Sequence, residues 1–419
     1  MEECIRMAIK GRNMVDIKQG NRNAILTLLH EQGGLSRKQL AARLNLTPAA
    51  ITMIVSEMIQ NSILQEGEVL QSKGSAGRKE IMVRINSNDF FVTGVYFGIE
   101  QAIVSATDLC GNLLVSETFL YDYNSGVQFV VNRICQIIND TILRLEQQQK
   151  RCVGVGIAAR GIIDDTRGIC YNSYGGWPEN DVPLLHMMEE QLRGQVISFQ
   201  QNVRALANAY IFLNRGQSIE SMLFVKNDTG IGAALVFDHK VYSGFNSNAA
   251  EMGHIVVERN GRLCRCGGRG CLETVSSMRS IENDVRDIFS EEATPALYRL
   301  VDGNKQNVSF PLICRAIQEG DTNVQNITNK AVDLLAEVLR SQICVLDVQR
   351  IVLHGIVFEN PYFFNRLLES INYDGRYPCL SELITTTQSF PALDTVCSPI
   401  LAIREFYRRG GMIDHTAKG

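Results

Sequence analysis

Three cysteines and one histidine stand close together in the second half of the chain. His254 lies ten residues before the first thiol of the segment Cys264-Arg265-Cys266-Gly267-Gly268-Arg269-Gly270-Cys271. Thiolate sulfur and imidazole nitrogen select zinc over hard cations, and three cysteines with one histidine form a recurrent closed tetrahedral site. The glycines let the backbone turn back tightly between the thiols. We therefore predict that His254, Cys264, Cys266 and Cys271 bind a structural Zn²⁺ ion.

The remaining cysteines and the overall composition indicate a compartment. The chain has 12 cysteines in 419 residues, and those outside the segment above are scattered singly. No cationic-then-apolar leader opens the sequence, and no apolar run approaches the roughly 18 residues of a membrane span. We expect a soluble protein of the reducing cytoplasm, without membrane insertion. With 45% hydrophobic residues the chain can bury two or three domain cores.

Charge is distributed unevenly along the chain. Residues 1–86 carry 12 Lys and Arg against 8 Asp and Glu, a net charge of +4, whereas the remaining 333 residues carry 29 against 37, a net charge of −8. A basic head attached to an acidic body is typical of a small nucleic-acid-binding unit joined to another domain.

The head has the pattern of a winged helix-turn-helix. Residues 36–39 form a capping-box pattern that opens a second helix, and Thr47-Pro48 opens a third after the short turn Leu44-Asn45-Leu46. Strands at 63–66 and 81–85 then flank a glycine-bearing basic loop at 71–79, which is the expected wing. We predict a DNA-binding domain over residues 1–86, while a winged module that contacts only proteins is the alternative.

The expected partner of this head is a double-stranded DNA operator with an inverted repeat. Base contacts would come from the third helix, whose small side chains allow close entry into the major groove, and phosphate contacts from the wing. The predicted DNA-binding residues are Ser36, Arg37, Thr47, Pro48, Ala49, Ala50, Thr52, Met53, Ser56, Lys73, Arg78 and Lys79.

From residue 87 the pattern changes to that of an α/β body. Three strands, a helix and a fourth strand run into the turn at Gly161, and a similar set begins near Met222. This order predicts the two-lobed sugar kinase and actin-like fold, which is ribonuclease H-like, with a ligand in the cleft between lobes. We expect lobe 1 over 87–203, completed by a C-terminal helix within 395–419, and lobe 2 over 204–394 with the zinc loop at 254–271.

The segment around the zinc loop resembles a known family. Residues 248–254, Asn-Ala-Ala-Glu-Met-Gly-His, and residues 264–274, Cys-Arg-Cys-Gly-Gly-Arg-Gly-Cys-Leu-Glu-Thr, are similar to the signature of the ROK family (repressors, open reading frames, kinases). The combination of head and body resembles the family's glucose-, N-acetylglucosamine- and xylose-responsive repressors. The resemblance implies a regulator that responds to a sugar or sugar derivative and assembles as a homodimer or homotetramer.

The resemblance also implies which residues contact a sugar. It assigns zinc binding to the same histidine and three cysteines, and it turns the second ring nitrogen of the histidine toward a sugar hydroxyl. The matching sugar-binding residues are Asn172, Asn202, Glu251, His254 and Glu273.

The positions that ROK kinases need are altered. Tyr96-Phe97-Gly98-Ile99-Glu100-Gln101 replaces the kinase loop Asp-x-Gly-Gly-Thr-Lys, and Asn202 stands where the kinases carry the aspartate base. An amide cannot accept the proton of an attacking hydroxyl at neutral pH. We therefore expect a transcriptional repressor of carbohydrate genes and not an enzyme. A ROK sugar kinase and a regulator controlled by a protein partner are the alternatives.

Overall fold

A computed structural model shows a small head packed on a two-lobed body. It describes residues 14–70, 80–215, 217–377, 379–390 and 392–413. The head consists of α1 (Met14–Gln32), β1 (Leu35–Ser36), α2 (Arg37–Leu44), α3 (Pro48–Gln60), β2 (Leu64–Leu70) and β3 (Glu80–Ile85). Its antiparallel sheet has the order β1-β3-β2. The predicted winged helix-turn-helix is confirmed, while Lys73, Arg78 and Lys79 lie outside the described residues.

Side-chain caps and one left-handed residue set the limits of the head helices. The Ser36 hydroxyl accepts from the Gln39 backbone N–H and the Gln39 side chain accepts in return, which completes the capping box of α2. Asn45 ends α2 with φ 52°, a conformation that asparagine tolerates well. The Thr47 hydroxyl accepts from the Ala50 N–H at the start of α3. The caps therefore fix the turn that orients α3.

The first lobe is built on a five-stranded sheet with the order β10-β7-β4-β5-β6. Its strands are β4 (Phe90–Phe97), β5 (Gln101–Asp108), β6 (Leu113–Leu120), β7 (Arg151–Ala159) and β10 (Ile197–Gln201), and β8 (Ile162–Asp164) pairs with β9 (Ile169–Asn172) beside it. Its helices are α4 (Val127–Glu146), α5 (Leu184–Glu189) and α6 (Asn202–Leu213). The boundary predicted after residue 203 falls inside α6, so this helix runs unbroken from the cleft toward the head.

The second lobe has a five-stranded sheet with the order β13-β12-β11-β14-β15. Its strands are β11 (Met222–Asn227), β12 (Ile231–Phe237), β13 (Lys240–Tyr242), β14 (Arg350–His354) and β15 (Ile384–Thr386). Its helices are α7 (Glu273–Ser276), α8 (Met278–Asp287), α9 (Pro295–Leu300), α10 (Phe310–Gln318), α11 (Thr322–Leu346), α12 (Ile356–Glu359), α13 (Pro361–Ile371) and α14 (Leu380–Leu383). The predicted two-lobed α/β body is confirmed.

The last helix, α15 (Leu393–Arg408), packs against the first-lobe sheet. Two glycines make this close approach possible. A Cβ atom on Gly156 would lie 1.7 Å from the Ser398 carbonyl oxygen, and one on Gly94 would lie 2.9 Å from the Ser398 carbonyl carbon. Any larger side chain in the sheet at these positions would push the helix away.

Helix α15 and the end of α6 also hold the head. The His30 ring of α1 stacks on Phe212 with centroids 3.7 Å apart, and its Nε2 donates to the Phe212 carbonyl oxygen at 2.8 Å. The Gln19 side chain donates to the Arg408 carbonyl oxygen at 2.9 Å. Burial lowers the pKa of His30 to about 4, so the ring is neutral near pH 7. The head is thus packed directly on the body.

Among the helices in the described ranges, none combines the length and apolar character that a membrane crossing needs.

The close packing of α15 makes a specific prediction. We expect Gly156→Ala to lower the free energy of unfolding by about 1–3 kcal/mol or more, because the added methyl group overlaps the Ser398 carbonyl. Gly20→Ala is the comparison variant: a Cβ there meets nothing within 4 Å, and alanine inside α1 should leave the stability unchanged or raise it by up to about 1 kcal/mol. Urea unfolding of both variants measures the difference. Equal stability of the two would show that α15 can move away from the sheet at little cost.

Candidate functional site

The four predicted metal ligands lie together at one end of the second lobe. One ligand atom from each of His254, Cys264, Cys266 and Cys271 lies within 4.8 Å of all the others. The His254 Nδ1 is 3.6 Å from the Cys264 Sγ, and the Cys266 Sγ is 3.7 Å from the Cys271 Sγ. Three soft sulfur atoms and one imidazole nitrogen at these separations fit a tetrahedral Zn²⁺ site.

Backbone contacts bring the loop's thiols together. A Cβ on Gly270 would lie 1.6 Å from the Glu258 carbonyl oxygen, and Gly270 itself has φ +70°, so only glycine fits there. Isolated bridges join Val256 to Cys271 and Leu263 to Arg269. The loop is therefore folded back on itself by its backbone as well as by its thiols.

The second nitrogen of the metal-site histidine faces the cleft. The His254 Nε2 lies 3.8 Å from Glu251 Oε2, and the ring centroid lies 5.0 Å from that of Tyr174. Tyr174 belongs to the first lobe and Glu251 to the second. One imidazole ring thus contacts the metal loop through Nδ1 and the space between the lobes through Nε2.

The two predicted sugar carboxylates occupy different surroundings in this cleft. Glu251 Oε1 accepts from the Gln201 side-chain amide at 3.2 Å, and burial raises the pKa of Glu251. Glu273 Oε2 accepts from the Ile231 backbone N–H at 2.9 Å, and a Cβ on Gly230 would lie 2.4 Å from that oxygen. The Glu273 carboxylate therefore packs against the glycine turn 228–232 and is hydrogen-bonded to it.

The two predicted asparagines contribute from the first lobe. The Asn202 side-chain amide donates to the Phe97 carbonyl oxygen at 3.1 Å, which links the start of α6 to the end of β4. The Asn172 Oδ1 accepts from the Tyr174 backbone N–H at 2.7 Å, which shapes the loop that carries Tyr174 to His254. Of the five predicted sugar residues, Glu251 and His254 thus contact the first lobe directly, through Gln201 and Tyr174.

Two arginines have a larger part in this cleft than the sequence indicated. Arg204 is 1% exposed and ion-pairs with Asp165 of the first lobe, while it donates to the Ser247 carbonyl oxygen of the second lobe. Arg160 has a buried Nε with no hydrogen-bond partner among the residues described. Burial lowers the pKa of Arg160, while the Glu273 charge opposes this effect. In the sequence, both arginines stand at positions that depart from the kinase pattern, and this departure was the signal that could have identified them.

A second polar cluster, the interlobe network, consists of Tyr96, Lys226, His354 and Asp394. The Lys226 Nζ donates to the Tyr96 hydroxyl and lies 3.4 Å from Asp394 Oδ1. His354 Nε2 hydrogen-bonds Asp394 Oδ2 at 2.9 Å. Tyr96 belongs to β4 of the first lobe, Lys226 and His354 to the second lobe, and Asp394 to the first turn of α15.

The charges of the interlobe network satisfy one another. Burial alone would lower the pKa of Lys226, but Asp394 and Tyr96 outweigh it, so the pKa of Lys226 is raised. Burial alone would raise the pKa of Asp394, but Lys226 and His354 hold the pKa of that carboxyl well below its usual range. The ammonium and the carboxylate are therefore both charged, and they join the second lobe to α15.

The predicted DNA-binding face of α3 is open to solvent. Thr47, Pro48, Ala49, Thr52, Met53 and Ser56 are exposed, with Met53 at 66%, and Ala50 is half-buried. Ser36 does not share this face: it is 2% exposed, and its hydroxyl caps α2 and donates to Glu80. Arg37 is ion-paired with Glu66 at 3.0 Å. The exposed candidates thus centre on α3.

Comparison with known proteins places this geometry in a family. Residues 92–377 match the model of the ROK family, and residues 21–65 match the MarR family. The chain is 25% identical over 347 residues to the DNA-binding transcriptional dual regulator NagC of Escherichia coli (strain K12), which covers 82% of this chain and 82% of that protein.

Two solved structures are similar in fold to this chain over different lengths. A ROK family transcriptional regulator, a homologue of the E. coli MLC protein, has a TM-score of 0.77 at 21% identity and covers 94% of this chain and 98% of its own. A ROK family glucokinase from Streptomyces griseus, in complex with glucose and AMPPNP, has a TM-score of 0.61 at 21% identity and covers 74% of this chain and 98% of its own. Because the family match spans more than half of the sequence, the chain belongs to the ROK family.

Proposed function

We propose that the protein is a sugar-responsive transcriptional repressor that binds an operator with its winged head and a sugar or sugar derivative in the interlobe cleft. The observation that carries the proposal is the continuous packing between the two sites. Helix α6 begins at Asn202 in the cleft and ends beside Phe212, on which His30 of the head stacks. The similarity to NagC supports the same function. Such a repressor would act in the cytoplasm, where its operator lies.

The metal loop would serve this function by orienting ligand-binding groups. We propose that His254, Cys264, Cys266 and Cys271 bind a structural Zn²⁺ ion. The ion would cross-link the loop and would take part in no reaction. With Nδ1 on the metal, the Nε2–H of His254 points toward Glu251 and can donate to a sugar oxygen. Glu251, Glu273, Asn172 and Asn202 would hydrogen-bond further hydroxyl groups.

Phosphoryl transfer is disfavoured by the same cleft. Asn202 offers no base for the sugar hydroxyl, and its amide is bonded to Phe97. Tyr96 stands where ROK kinases carry an aspartate, and its hydroxyl is bonded to Lys226, whose charge is balanced by Asp394. Loss of a general base costs about 3 kcal/mol or more in the barrier. Sustained turnover of ATP and Mg²⁺ with any sugar would support the kinase alternative.

A signal would pass between the sites by movement of the lobes. A sugar that bridges Glu251 and His254 on one lobe to Asn172 and Asn202 on the other would favour one lobe arrangement. In a homodimer or homotetramer this would change the spacing of two heads, which must match half-sites one or more helical turns apart. A protein partner that bound the body could shift the same equilibrium, so the sugar test below also tests that alternative.

The DNA-binding proposal is tested at the exposed face of α3. We expect Ala49→Glu to weaken operator binding at least about 100-fold, because the new carboxylate would face the DNA phosphates. Gln128→Glu, an exposed change of equal charge on the body helix α4, is the control and should bind as the wild type does. Mobility shifts on the operator upstream of the regulated genes measure both. Unchanged binding by Ala49→Glu would remove α3 from the DNA interface.

The zinc and sugar proposals are tested together. We expect one zinc ion per wild-type chain by elemental analysis and none in Cys264→Ser, with Cys379→Ser, an exposed thiol outside the cluster, as the control. A sugar at about 100 times its Kd should stabilise the wild type by about 2.7 kcal/mol. Cys264→Ser should lose most of this stabilisation, because His254 is no longer held toward the cleft.

Three results would contradict these proposals. Zinc bound at full stoichiometry by Cys264→Ser would show that the cluster is not the metal site. Normal sugar stabilisation in a zinc-free variant would leave the loop with a structural role alone. No stabilisation of the wild type by any sugar or sugar phosphate would favour control by a protein partner.

A further inference from the structure

Arg160 stands at the edge of the first-lobe sheet that faces the interlobe cleft. It follows directly after β7, which pairs in parallel with β4 and with β10. Ligands of open α/β sheets bind outside the carboxyl ends of such strands. The sugar-binding candidate Asn202 follows β10 at the same edge, and a Cβ on Gly161 would lie 1.9 Å from the carbonyl oxygen of Asn172, a second candidate. Arg160 therefore lies beside two of the residues predicted to contact the sugar.

The terminal nitrogens of the Arg160 guanidinium are free. In the part of the chain that the structure describes, no carboxylate lies within 4.0 Å of this side chain, and none of its nitrogens donates a hydrogen bond. The Nε is inaccessible, but Nη1 and Nη2 are not among the buried unpartnered atoms, and the side chain as a whole is half-buried. The two terminal nitrogens are thus within reach of a ligand, and they are the fork with which arginine binds an oxyanion.

Groups from both lobes face this guanidinium. The charges that act on Arg160 are those of Tyr96 and Tyr121 from the first lobe and of Glu273 and Arg265 from the second. Burial lowers the pKa of Arg160, although an arginine side chain keeps its proton in a protein. The guanidinium is therefore a charged group that lies between the lobes.

A second guanidinium enters the same space from the metal loop. Arg265 stands between two of the predicted zinc ligands, and its Nη1 donates to the carbonyl oxygen of Tyr174 in the first lobe at 3.1 Å. Its other nitrogens have no partner, and no carboxylate lies within 4.0 Å of them, among the residues described. Glu273 neutralises neither arginine by an ion pair, because it lies beyond that distance from both and accepts from the Ile231 N–H. Two guanidinium groups without an ionic partner thus face the cleft.

Building on the sugar response proposed above, we propose that the interlobe cleft selects a sugar that carries an anionic group, either a phosphate ester or a carboxylate. The oxyanion pairs with the terminal nitrogens of Arg160 and with Arg265. The hydroxyl groups of the sugar ring donate to Glu251 and Glu273. A neutral sugar would cover the Arg160 guanidinium and leave its charge without a counter-ion, which weakens binding.

Titration calorimetry of the full chain tests the charge of the effector with five probes. They are glucose, glucose 6-phosphate, glucuronate, N-acetylglucosamine and N-acetylglucosamine 6-phosphate. We expect an anionic probe to bind about tenfold or more tightly than its neutral parent, and the preference should shrink at high salt because ion pairs are screened. The 6-phosphates and glucuronate separate a phosphate ester from a carboxylate as the source of the charge.

Substitutions locate the anion. Arg160→Met should reduce the preference for the anionic probe to about twofold or less while it still binds the neutral parent, because only the charged group loses its partner. Arg265→Met should reduce the preference by a smaller factor, and it decides the question should Arg160→Met fail to fold. Arg133→Met, at an exposed arginine of α4, is the control of equal charge and should keep the full preference.

Three results would overturn the proposal and leave the proposed sugar response standing. They are neutral probes that bind as tightly as the anionic ones, equal loss of neutral and anionic binding in Arg160→Met, and an unchanged preference in Arg265→Met when Arg160→Met is unfolded. The second result would show that Arg160 has a structural role alone. If none of the five probes binds the wild type, the anionic effector and the sugar response fail together.

Discussion

The packing of α15 against the first-lobe sheet is the interaction on which the rest of the structure depends. The helix lies so close to β4 and β7 that only glycine fits beneath it at Gly94 and Gly156. From this position its first turn reaches Lys226 and His354 of the second lobe through Asp394, and its last turn reaches the head. One helix therefore contacts all three bodies.

The proposed function would use the cleft of a kinase-like fold for sensing. Lys226 and Asp394 of the interlobe network balance each other's charge. The proposed sugar side would offer carboxylates, amides and a histidine suited to polyol hydroxyls. Arg204 adds an ion pair with Asp165 of its own lobe and a backbone contact with Ser247 of the other lobe. Under the proposed function, groups that would stabilise a transferring phosphoryl group are replaced by groups that hold the two lobes in a defined relation.

The sequence was informative where a local rule determines structure. The capping box at Ser36 and the Thr47-Pro48 start predicted the head helices, and the spacing of His254 and the three cysteines predicted a cluster that the structure brings together. Ser36, predicted to face DNA, is instead buried. Its hydroxyl caps α2 and donates to Glu80, so it is not free to contact DNA. The capping pattern at Ser36 thus predicted its role as a helix cap correctly, but not whether its side chain is exposed to DNA.

Long-range packing was not predictable in this way. The interlobe network joins residues from 96 to 394, and the contact of His30 with Phe212 spans 182 positions. No periodicity or motif indicates that such side chains meet, because their proximity depends on how complete elements pack. The division into residues 1–86, 87–203 and 204–394 stays a prediction, and helix α6 crosses its second boundary.

We propose that the signal between the cleft and the head passes through the helices that contact both, α6 and α15, and operator affinity with and without the effector sugar tests this coupling most directly. The wild type should change its operator affinity by about 5–150-fold on sugar binding. Asp394→Asn, which removes the charge facing Lys226 and His354, should bind operator and sugar but lose most of that change. Asp287→Asn, an exposed change on the same lobe as Lys226, should respond as the wild type does. A full sugar response in Asp394→Asn would contradict the account.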